Sequence, residues 1–249
     1  MTLRSARDLK SAADLKSAIV TGAGAGIGRA TALALSARGW HVLFCDIDGE
    51  AAAQAAAEAG GNAVSIGVDV TDDAALADMV ASAADLAAIV HCAALFPRID
   101  LANTAIADFD RVTAVNVRAA VQLTLLAAPA MPGGGALVFL TSGSGLLASA
   151  SDPFQRGFAL YGASKAALDR WVAGAAAELA PSGIFASTIT PGAFVETPGL
   201  ARTGATPAPG AATISAERVA EAVVRLAEDR SGIFAGQRLS AATFGESWR

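Results

Sequence analysis

The sequence predicts an α/β fold, a doubly wound parallel sheet of about seven strands with helices on both faces. Short apolar runs rich in β-branched residues alternate with long alanine-rich stretches along the chain. The short runs are apolar throughout instead of at every second position, which is typical of parallel strands that are covered on both faces. Repeated strand–helix units with right-handed crossovers then give a doubly wound sheet.

The predicted elements follow this alternation along the whole chain. Strands are predicted at 17–21, 41–46, 63–68, 86–92, 136–141, 184–190 and 237–241. Helices are predicted at 26–37, 49–59, 73–83, 105–130, 158–180 and 215–228. Because the composition does not change along the chain and no long linker interrupts it, we expect a single Rossmann-type domain at 14–249, after an N-terminal extension at 1–13.

Composition argues against several classes of protein. Hydrophobic residues make up 53% of the 249 residues and charged residues 16%, which argues against disorder. The net charge is −5 and the 18 Lys and Arg residues are scattered, so no basic surface for nucleic acid is expected. No apolar run reaches the roughly 18–20 residues that span a bilayer. The first residues are polar, without the apolar core of a signal peptide, so we expect a cytoplasmic location.

The two cysteines are expected to be free thiols. Cys45 and Cys92 lie near the ends of strands that should flank the first strand on opposite sides. Two strand spacings separate them by roughly 9–10 Å, which is too far for a disulfide. A zinc site formed with His41 and His91 would lack the usual ligand spacing, so no metal is expected.

A glycine-rich turn is the strongest local signal. It reads Thr21-Gly-Ala-Gly-Ala-Gly-Ile-Gly28 and joins the first strand to the first helix. Glycine is needed where backbone turns tightly or approaches a pyrophosphate closely, and the following helix N-terminus offers free N–H groups to phosphates. A simple strand–helix connection is the alternative. We expect the turn to bind a dinucleotide through Gly22, Ala25, Gly26, Ile27 and Gly28.

Asp46 indicates which dinucleotide binds. It ends the second strand, 18 residues after Gly28, close to the offset of about 20 residues expected for a carboxylate that binds ribose hydroxyls. Because a carboxylate repels a 2′-phosphate, Asp46 and the neighbouring Ile47 favour NAD over NADP. The alternative role of Asp46 is to cap the next turn.

Tyr161 and Lys165 form a candidate acid–base pair. Tyr161 is the only tyrosine in the chain, and Lys165 follows four residues later in a predicted helix. This spacing places both side chains on one helix face. A nearby ammonium and the positive nicotinamide of NAD would lower the phenol pKa from about 10 and make Tyr161 a general base.

The glycine turn and the Tyr161-Gly-Ala-Ser-Lys165 segment together resemble the short-chain dehydrogenase/reductase family, from Asp14 to Ala241. The resemblance implies an oxidoreductase that transfers a hydride between NAD(H) and a small alcohol or ketone. It also implies catalytic roles for Asn116, which would bend its helix and anchor a water near the lysine, and for Ser142 after the fifth strand. Ser144 is a rival, because the spacing from Ser142 to Tyr161 is longer than is usual in the family.

The same resemblance implies further cofactor contacts after the third, fourth and sixth strands. These residues are Asp69, Val70, Cys92, Ala93, Ala94, Pro191, Gly192, Val195 and Thr197. Asp69, Thr71 and Asp72 are also possible caps of the following helix. The glycine- and proline-rich stretch 199–212 is expected to be a substrate lid. Helices 105–130 and 158–180 are expected to form the interfaces of a homotetramer.

Three segments depart from the family pattern. His91-Cys-Ala-Ala94 replaces the usual Asn-Asn-Ala-Gly, and His91 is expected to take the structural role of the first Asn instead of acting as a second acid–base group. The segment 69–91 is short, and the C-terminal residues 241–249 lack the common Asp-Gly-Gly. Neither of these two departures is expected to touch the catalytic residues.

The substrate is expected to be a largely apolar secondary alcohol or ketone. The residues expected to surround it are Leu95, Phe96, Leu146, Leu147, Phe154, Phe158 and Phe194. A non-catalytic dinucleotide-binding regulator is the alternative function, and the intact Tyr161/Lys165 pair argues against it. An epimerase or dehydratase is a third possibility, which the short C-terminal region disfavours.

Overall fold

The computed structural model describes residues 16–61, 63–147, 155–204, 206–207 and 210–249. Within these ranges seven parallel strands form one sheet with the order β3-β2-β1-β4-β5-β6-β7. The strands are β1 Ser17–Thr21, β2 His41–Asp46, β3 Ala63–Gly67, β4 Leu86–His91, β5 Gly135–Leu140, β6 Ile184–Thr190 and β7 Arg238–Ser240. The predicted α/β class and strand number are confirmed. Residues 1–13, which were predicted to be an extension, lie outside the described residues.

Helices cover both faces of the sheet, as predicted. They are α1 Gly26–Ala37, α2 Gly49–Ala59, α3 Asp73–Ala81, α4 Ile106–Thr113, α5 Ala119–Ala130, α6 Ala159–Leu179, α7 Pro198–Ala201 and α8 Ala216–Ala227. The predicted helix 105–130 is divided, because a π-helical turn at Ala114–Arg118 separates α4 from α5. Such turns mark a local change of direction inside a helix and are frequent at functional sites.

Two hydrophobic cores lie on opposite faces of the sheet. Alternate strand residues point to opposite faces, so Val20 packs in the core beneath α1, α2 and α8. Its neighbour Ile19 packs in the core beneath α3, α5 and α6. Because both faces are buried, the central strands are apolar throughout. β3, at the edge of the sheet, is the exception, with several exposed positions.

The central strands place the loops that carry the sequence motifs. β1 pairs with β2 on one side and β4 on the other, so the chain reverses its winding direction between β1 and β4. In an open parallel sheet this switch point opens a crevice at the carboxyl ends of the strands. The same strand order separates Cys45 from Cys92, and both are free cysteines, as expected.

The segment Ile106–Ala130 is long and apolar enough to cross a bilayer by length and composition. In the fold it is interrupted by the π-turn. Ala119, Leu123 and Ala127 of α5 are fully buried against the second core. The buried apolar residues of α5 therefore pack on the sheet.

Candidate active site

A cavity of about 1120 Å³ opens at the carboxyl ends of the strands. It is large enough for a cofactor together with a small substrate. All of the residues predicted to bind the cofactor line it, namely Gly22, Ala25, Gly26, Ile27, Gly28, Asp46, Ile47, Asp69, Val70, Cys92, Ala93, Ala94, Pro191, Gly192, Val195 and Thr197, together with Tyr161 and Lys165. Ser142 lines it as well, whereas Asn116 lies behind its wall.

The glycine turn is packed so closely that no side chain fits at Gly22 or Gly28. A Cβ on Gly28 would lie 2.1 Å from the carbonyl oxygen of Gly22. A Cβ on Gly22, whose φ is +70°, would lie 2.8 Å from the backbone nitrogen of Ala93. The turn and the start of α1 are thereby pressed against the loop that follows β4. Any side chain at Gly22 or Gly28 would displace the turn, the start of α1 or the loop that follows β4.

The N-terminus of α1 is open toward the cavity. Ala25 is its N-cap residue, and no side chain caps the helix. The first N–H groups of an uncapped helix carry partial positive charge and bind phosphate. These residues therefore fit the pyrophosphate of a dinucleotide.

Asp46 lies at the rim of the cavity beside this turn. One carboxylate oxygen accepts a hydrogen bond from the Gly24 N–H at 2.9 Å, and the other accepts one from the Asp48 N–H at 3.0 Å. These bonds fix the carboxylate and confirm the turn-capping role that was the alternative. Each carboxylate oxygen can accept a further hydrogen bond, so capping and ribose binding are compatible.

Asp69 and Val70 line the cavity beyond β3. The Asp69 carboxylate accepts hydrogen bonds from the backbone N–H and the hydroxyl of Thr71. Asp72, not Asp69, caps α3. Of the three possible caps, Asp72 therefore takes that role, and Asp69 holds the turn that faces the cavity.

Ser142 and Tyr161 meet at the other end of the cavity. The side chains of Ser142 and Tyr161 share a hydrogen bond, which favours the phenolate form of the tyrosine. The backbone N–H of Ser144 donates to the Ser142 hydroxyl oxygen at 3.2 Å, so Ser144 supports Ser142 through its main chain. Of the two rival serines, the structure brings Ser142 to the phenol.

The turn that begins at Ser142 and includes Gly143–Gly145 lies directly on α6, and two glycines permit this contact. A Cβ on Gly162, next to Tyr161, would come within 2.6 Å of the Ser144 carbonyl oxygen. A Cβ on Gly145 would come within 3.0 Å of the backbone of Lys165. The close contact of turn and helix sets the distance between the serine and the tyrosine. Neither glycine is among the predicted site residues.

The ionisable pair is buried, and burial dominates its chemistry. Burial raises the pKa of Tyr161 to about 12, although the hydrogen bond from Ser142 opposes this shift. Burial also lowers the pKa of Lys165 to about 8, and electrostatic interactions with Cys92 and Asp169 oppose this shift. The protein groups alone therefore raise the phenol pKa, and the lowering expected from the ammonium together with the nicotinamide of NAD stays a prediction. The Lys165 Nζ lies 5.7 Å from the Tyr161 ring centre and donates to the Leu140 carbonyl at 2.8 Å.

Asn116 occupies the π-turn and is fully buried. Its side-chain amide donates to the Leu95 carbonyl at 2.7 Å and accepts from the Leu95 N–H at 2.8 Å. It also donates to the Ser164 hydroxyl at 2.9 Å. The helix is interrupted at Asn116, as the resemblance implied, and the amide joins the π-turn to α6 and to the loop after β4.

His91 is buried outside the cavity lining. Its Nδ1 hydrogen-bonds the Thr21 hydroxyl at 2.8 Å, and that hydroxyl accepts from the Ala93 N–H at 3.3 Å. Burial lowers the pKa of His91 to about 3, so the ring is neutral. It joins β1 to the loop after β4, which is the structural role expected of it.

The loop after β6 forms a further wall. Thr197 caps α7 by accepting a hydrogen bond from the Leu200 N–H, and its side chain packs against Gly26. Gly192 has φ +73°, and a Cβ there would lie 1.9 Å from the Ser240 hydroxyl oxygen. The loop is thereby held between the glycine turn and the end of β7. Within the expected lid, Gly199, Leu200, Arg202, Pro207 and Ala211 line the cavity.

The part of the cavity around Tyr161, where the substrate is expected, is lined largely by apolar side chains. Leu95, Phe96, Leu146, Phe158 and Phe194 line it as expected. The rings of Phe96 and Phe158 lie 5.9 and 6.0 Å from that of Tyr161.

Leu147 was predicted wrongly, because it points into solvent and is 105% exposed. Phe154 lies outside the described residues. Several polar or charged lining residues were missed, because no sequence motif marks them, namely Arg111, Gln155, Arg202, Arg238 and Ser240.

The C-terminal segment packs on α8 and on the end of β7. The Trp248 indole N–H donates to the Ser240 carbonyl at 2.8 Å, and its ring packs on those of Phe234 and Phe244. These aromatic contacts stand where the family commonly has Asp-Gly-Gly. They fix the position of Ser240. Because Ser240 lies against Gly192, they also fix this part of the cavity wall.

A doubly wound sheet with an uncapped glycine turn at its switch point defines a dinucleotide-binding protein, and the Ser142–Tyr161 pair adds acid–base groups to the same cavity. Comparison with known proteins gives the family. The family model described as short chain dehydrogenase matches residues 16–207. The chain belongs to this family of oxidoreductases, which use NAD or NADP and act on small molecules.

Individual relatives agree with this assignment. Sorbitol dehydrogenase of Cereibacter sphaeroides is 36% identical over 186 residues, which are 72% of this chain and 70% of the relative. Human (3R)-3-hydroxyacyl-CoA dehydrogenase is 31% identical over 196 residues, covering 73% of this chain and 74% of the relative. A solved structure described as a short chain dehydrogenase/reductase family protein superposes with a TM-score of 0.81 at 30% identity, covering 90% of this chain and 95% of that one.

Proposed function

We propose that the protein is an NAD-dependent dehydrogenase that interconverts a small, largely apolar secondary alcohol and its ketone. The observation that carries the proposal is that the side chains of Ser142 and Tyr161 meet in the cavity that the glycine turn lines. The names of the two curated relatives describe dehydrogenases of hydroxyl-bearing compounds. This supports the alcohol–carbonyl class, and the rings of Phe96 and Phe158 beside Tyr161 support a substrate whose reacting part is apolar.

In the proposed mechanism, Tyr161 accepts the proton of the substrate hydroxyl during oxidation and donates a proton to the carbonyl oxygen during reduction. The Ser142 hydroxyl has a single proton, so with substrate bound it would turn from the phenol to donate to the substrate oxygen and stabilise charge that develops on it. NAD, when bound, supplies the hydride acceptor and places a positive ring near these groups. That charge would favour the phenolate, which burial in the protein alone disfavours.

Lys165 and Asn116 are proposed to support the proton transfer. Lys165 is buried beside Tyr161 with its ammonium on the Leu140 carbonyl, and it would turn toward the ribose and the phenol when the cofactor is present. The side-chain amide of Asn116 is already hydrogen-bonded to Leu95 and Ser164. We therefore propose that the amide acts by holding the π-turn, and that any water of a proton relay binds main-chain atoms there.

The preference for NAD is proposed from Asp46. Its carboxylate is fixed at the rim by the Gly24 and Asp48 N–H groups. Ile47, the next residue, is 74% exposed and carries no charge that could bind a 2′-phosphate. Each of these observations disfavours NADP.

Assembly as a homotetramer is proposed from exposed apolar side chains near the predicted interface helices. Ile106, Phe109 and Leu125 on α4 and α5 are 78, 48 and 61% exposed. Clusters of exposed apolar residues mark contact surfaces, and light scattering at micromolar concentration would test for a tetramer. A cytoplasmic location stays a prediction, to be checked by cell fractionation.

The proposed function is tested by screening secondary alcohols with NAD and recording the absorbance of the reduced cofactor. We expect turnover of apolar and alicyclic alcohols, with Tyr161→Phe as the inactive control. NAD binding, measured by calorimetry, should be retained in that variant. Binding of NAD by the wild type without turnover of any alcohol or ketone would contradict the dehydrogenase and favour the non-catalytic regulator.

A further inference from the structure

Arg238 is a charged residue of the cavity wall that the catalytic scheme above does not use. It lies on β7, at the edge of the sheet, opposite Thr188 of β6. Its side chain is only 25% exposed and reaches back across the end of β6 toward the loop that follows β5. An arginine buried to this degree loses hydration, so its position needs compensating partners.

The guanidinium of Arg238 has two partners at once. Its Nε donates to the Asp169 carboxylate at 3.1 Å, and an Nη donates to the Ser142 carbonyl at 2.8 Å. Asp169 is 17% exposed and lies one helical turn after Lys165 on α6. The planar fork of Arg238 therefore bridges the helix that carries the tyrosine and lysine to the turn that carries the serine.

The hydrogen bond from Arg238 is made to the carbonyl of Ser142, the residue whose side chain contacts the Tyr161 phenol. The Ser142 carbonyl also accepts from the Gly145 N–H at 3.0 Å, so the bond from Arg238 uses its second lone pair. On its other side the turn rests on α6 through Gly145 and Gly162. Within the described residues, Arg238 is the charged side chain that holds this turn from the side of β7.

We propose that Arg238, oriented by Asp169, is a positioning residue that fixes the Ser142 hydroxyl against the Tyr161 phenol. The role in catalysis rests on the proposed function of Tyr161, but the geometric part does not. Without Arg238 the turn is free to shift away from α6, and the hydrogen bond between the serine and the tyrosine weakens. Displacement of a reacting group by about 1 Å can cost roughly 100-fold in rate.

The single tyrosine gives a direct readout that needs no turnover. Tyrosine labelled with ¹³C at Cζ yields one resonance, from Tyr161, whose position reports the hydrogen bond to the phenol oxygen. Ser142→Ala defines the resonance without that bond. We expect Arg238→Met and Asp169→Asn to move the resonance at least half of the way to the Ser142→Ala position.

Arg38 provides the matched control. It pairs with Glu228 at 3.1 Å, the same distance as the Arg238–Asp169 pair, on the surface and outside the cavity lining. Arg38→Met should leave both the resonance and the rate unchanged. Arg238→Lys keeps a charge for Asp169, but a single ammonium cannot reproduce the planar fork, so we expect it to resemble Arg238→Met more than the wild type.

Kinetics on an alcohol that the wild type oxidises form the second arm. Arg238→Met should lower kcat by about 10- to 100-fold, while KM for NAD changes by less than about threefold because the guanidinium holds no cofactor-binding segment. If the pair acts as a unit, the double variant with Asp169→Asn should lose no more than the worse single variant.

A folded Arg238→Met protein with the wild-type resonance and kcat would overturn the proposal. If that variant does not fold, Asp169→Asn, which keeps the shape of the side chain, decides in the same way. A wild type that turns over no alcohol would contradict the proposed function, and the resonance would still decide the positioning role.

Discussion

The glycine turn between β1 and α1 and the cluster around Tyr161 face one cavity but use different atoms. The turn presents backbone N–H groups and excludes side chains, since a Cβ on Gly28 would collide with the main chain. The cluster presents side chains that are ionisable and buried, with the pKa of Tyr161 raised and that of Lys165 lowered. The glycine turn thus depends on the absence of side chains at Gly22 and Gly28, and the proposed catalytic end depends on side chains that other segments must hold in place.

This difference teaches where each end is vulnerable. A contiguous turn depends on sterics within a few residues, so a single added methyl group should disturb it. The catalytic cluster draws Ser142, Tyr161 and Lys165 from two segments that Arg238 and two glycines hold together. Changes there should alter chemistry more than folding.

The largest expected effect is on turnover at the catalytic end. Tyr161→Phe removes the transferable proton and keeps the ring between Phe96 and Phe158. The oxidation rate should fall by about 10²- to 10⁴-fold, the range typical of a lost acid–base group. Steady-state kinetics checks the rate, and calorimetry should show NAD binding unchanged. Near-normal turnover would mean that Tyr161 is not the acid–base group.

Folding should suffer more at the cofactor end. Gly28→Ala places a methyl group 2.1 Å from the Gly22 carbonyl oxygen, and overpacking of this kind destabilises by about 1–3 kcal/mol or more. Denaturant unfolding measures the change. Gly133→Ala is the matched control, because a Cβ there meets no atom within 4 Å. Equal stability of the two variants would show that the turn relaxes easily.

Lys165→Met should stabilise the fold while it impairs catalysis. The pKa of Lys165 is about 8 in the folded chain and about 10.4 when unperturbed, so the unfolded state binds more protons between these values. The free energy of unfolding of the wild type should therefore rise from pH 8 to about pH 10. Below pH 8 the buried ammonium is charged and destabilises the fold by its full desolvation cost. The variant should lack this rise.

At pH 7 the Lys165→Met variant should be more stable by about 1–2 kcal/mol, because loss of the hydrogen bond to Leu140 offsets part of the gain. Urea unfolding at several pH values measures both effects. A variant that is less stable than the wild type at pH 7 would show that the ammonium is better solvated than its burial indicates.

The smallest expected effect concerns the choice of cofactor. We expect kcat/KM for NAD to exceed that for NADP at least tenfold, or about 1.4 kcal/mol, because Asp46 repels a 2′-phosphate. Asp46→Ala combined with Ile47→Arg should relax this preference. Asp46 also holds the Gly24 and Asp48 N–H groups, so thermal unfolding must show that the variant is folded. Equal constants for both cofactors in the wild type would contradict the role of Asp46.

The sequence by itself determined the sheet, the turn and the residues that the fold brings to one cavity. Apolar strands alternating with helices admit few arrangements other than a parallel sheet covered on both faces. The turn from Thr21 to Gly28 is readable because its requirement is local, since only glycine fits where backbone meets backbone. Tyr161 and Lys165 were readable because a spacing of four residues fixes their helix face.

The tertiary structure decided what depends on distant segments and on burial. Ser142 was chosen over Ser144 by the position of α6, and Leu147 lies in solvent because the turn after β5 directs it outward. The raised phenol pKa reflects desolvation, which no local pattern reports. Arg238 joins Asp169 and Ser142 from segments 69 and 96 residues away in the chain. Such contacts follow from the order of strands in the sheet, so they become visible only when the fold brings the segments together.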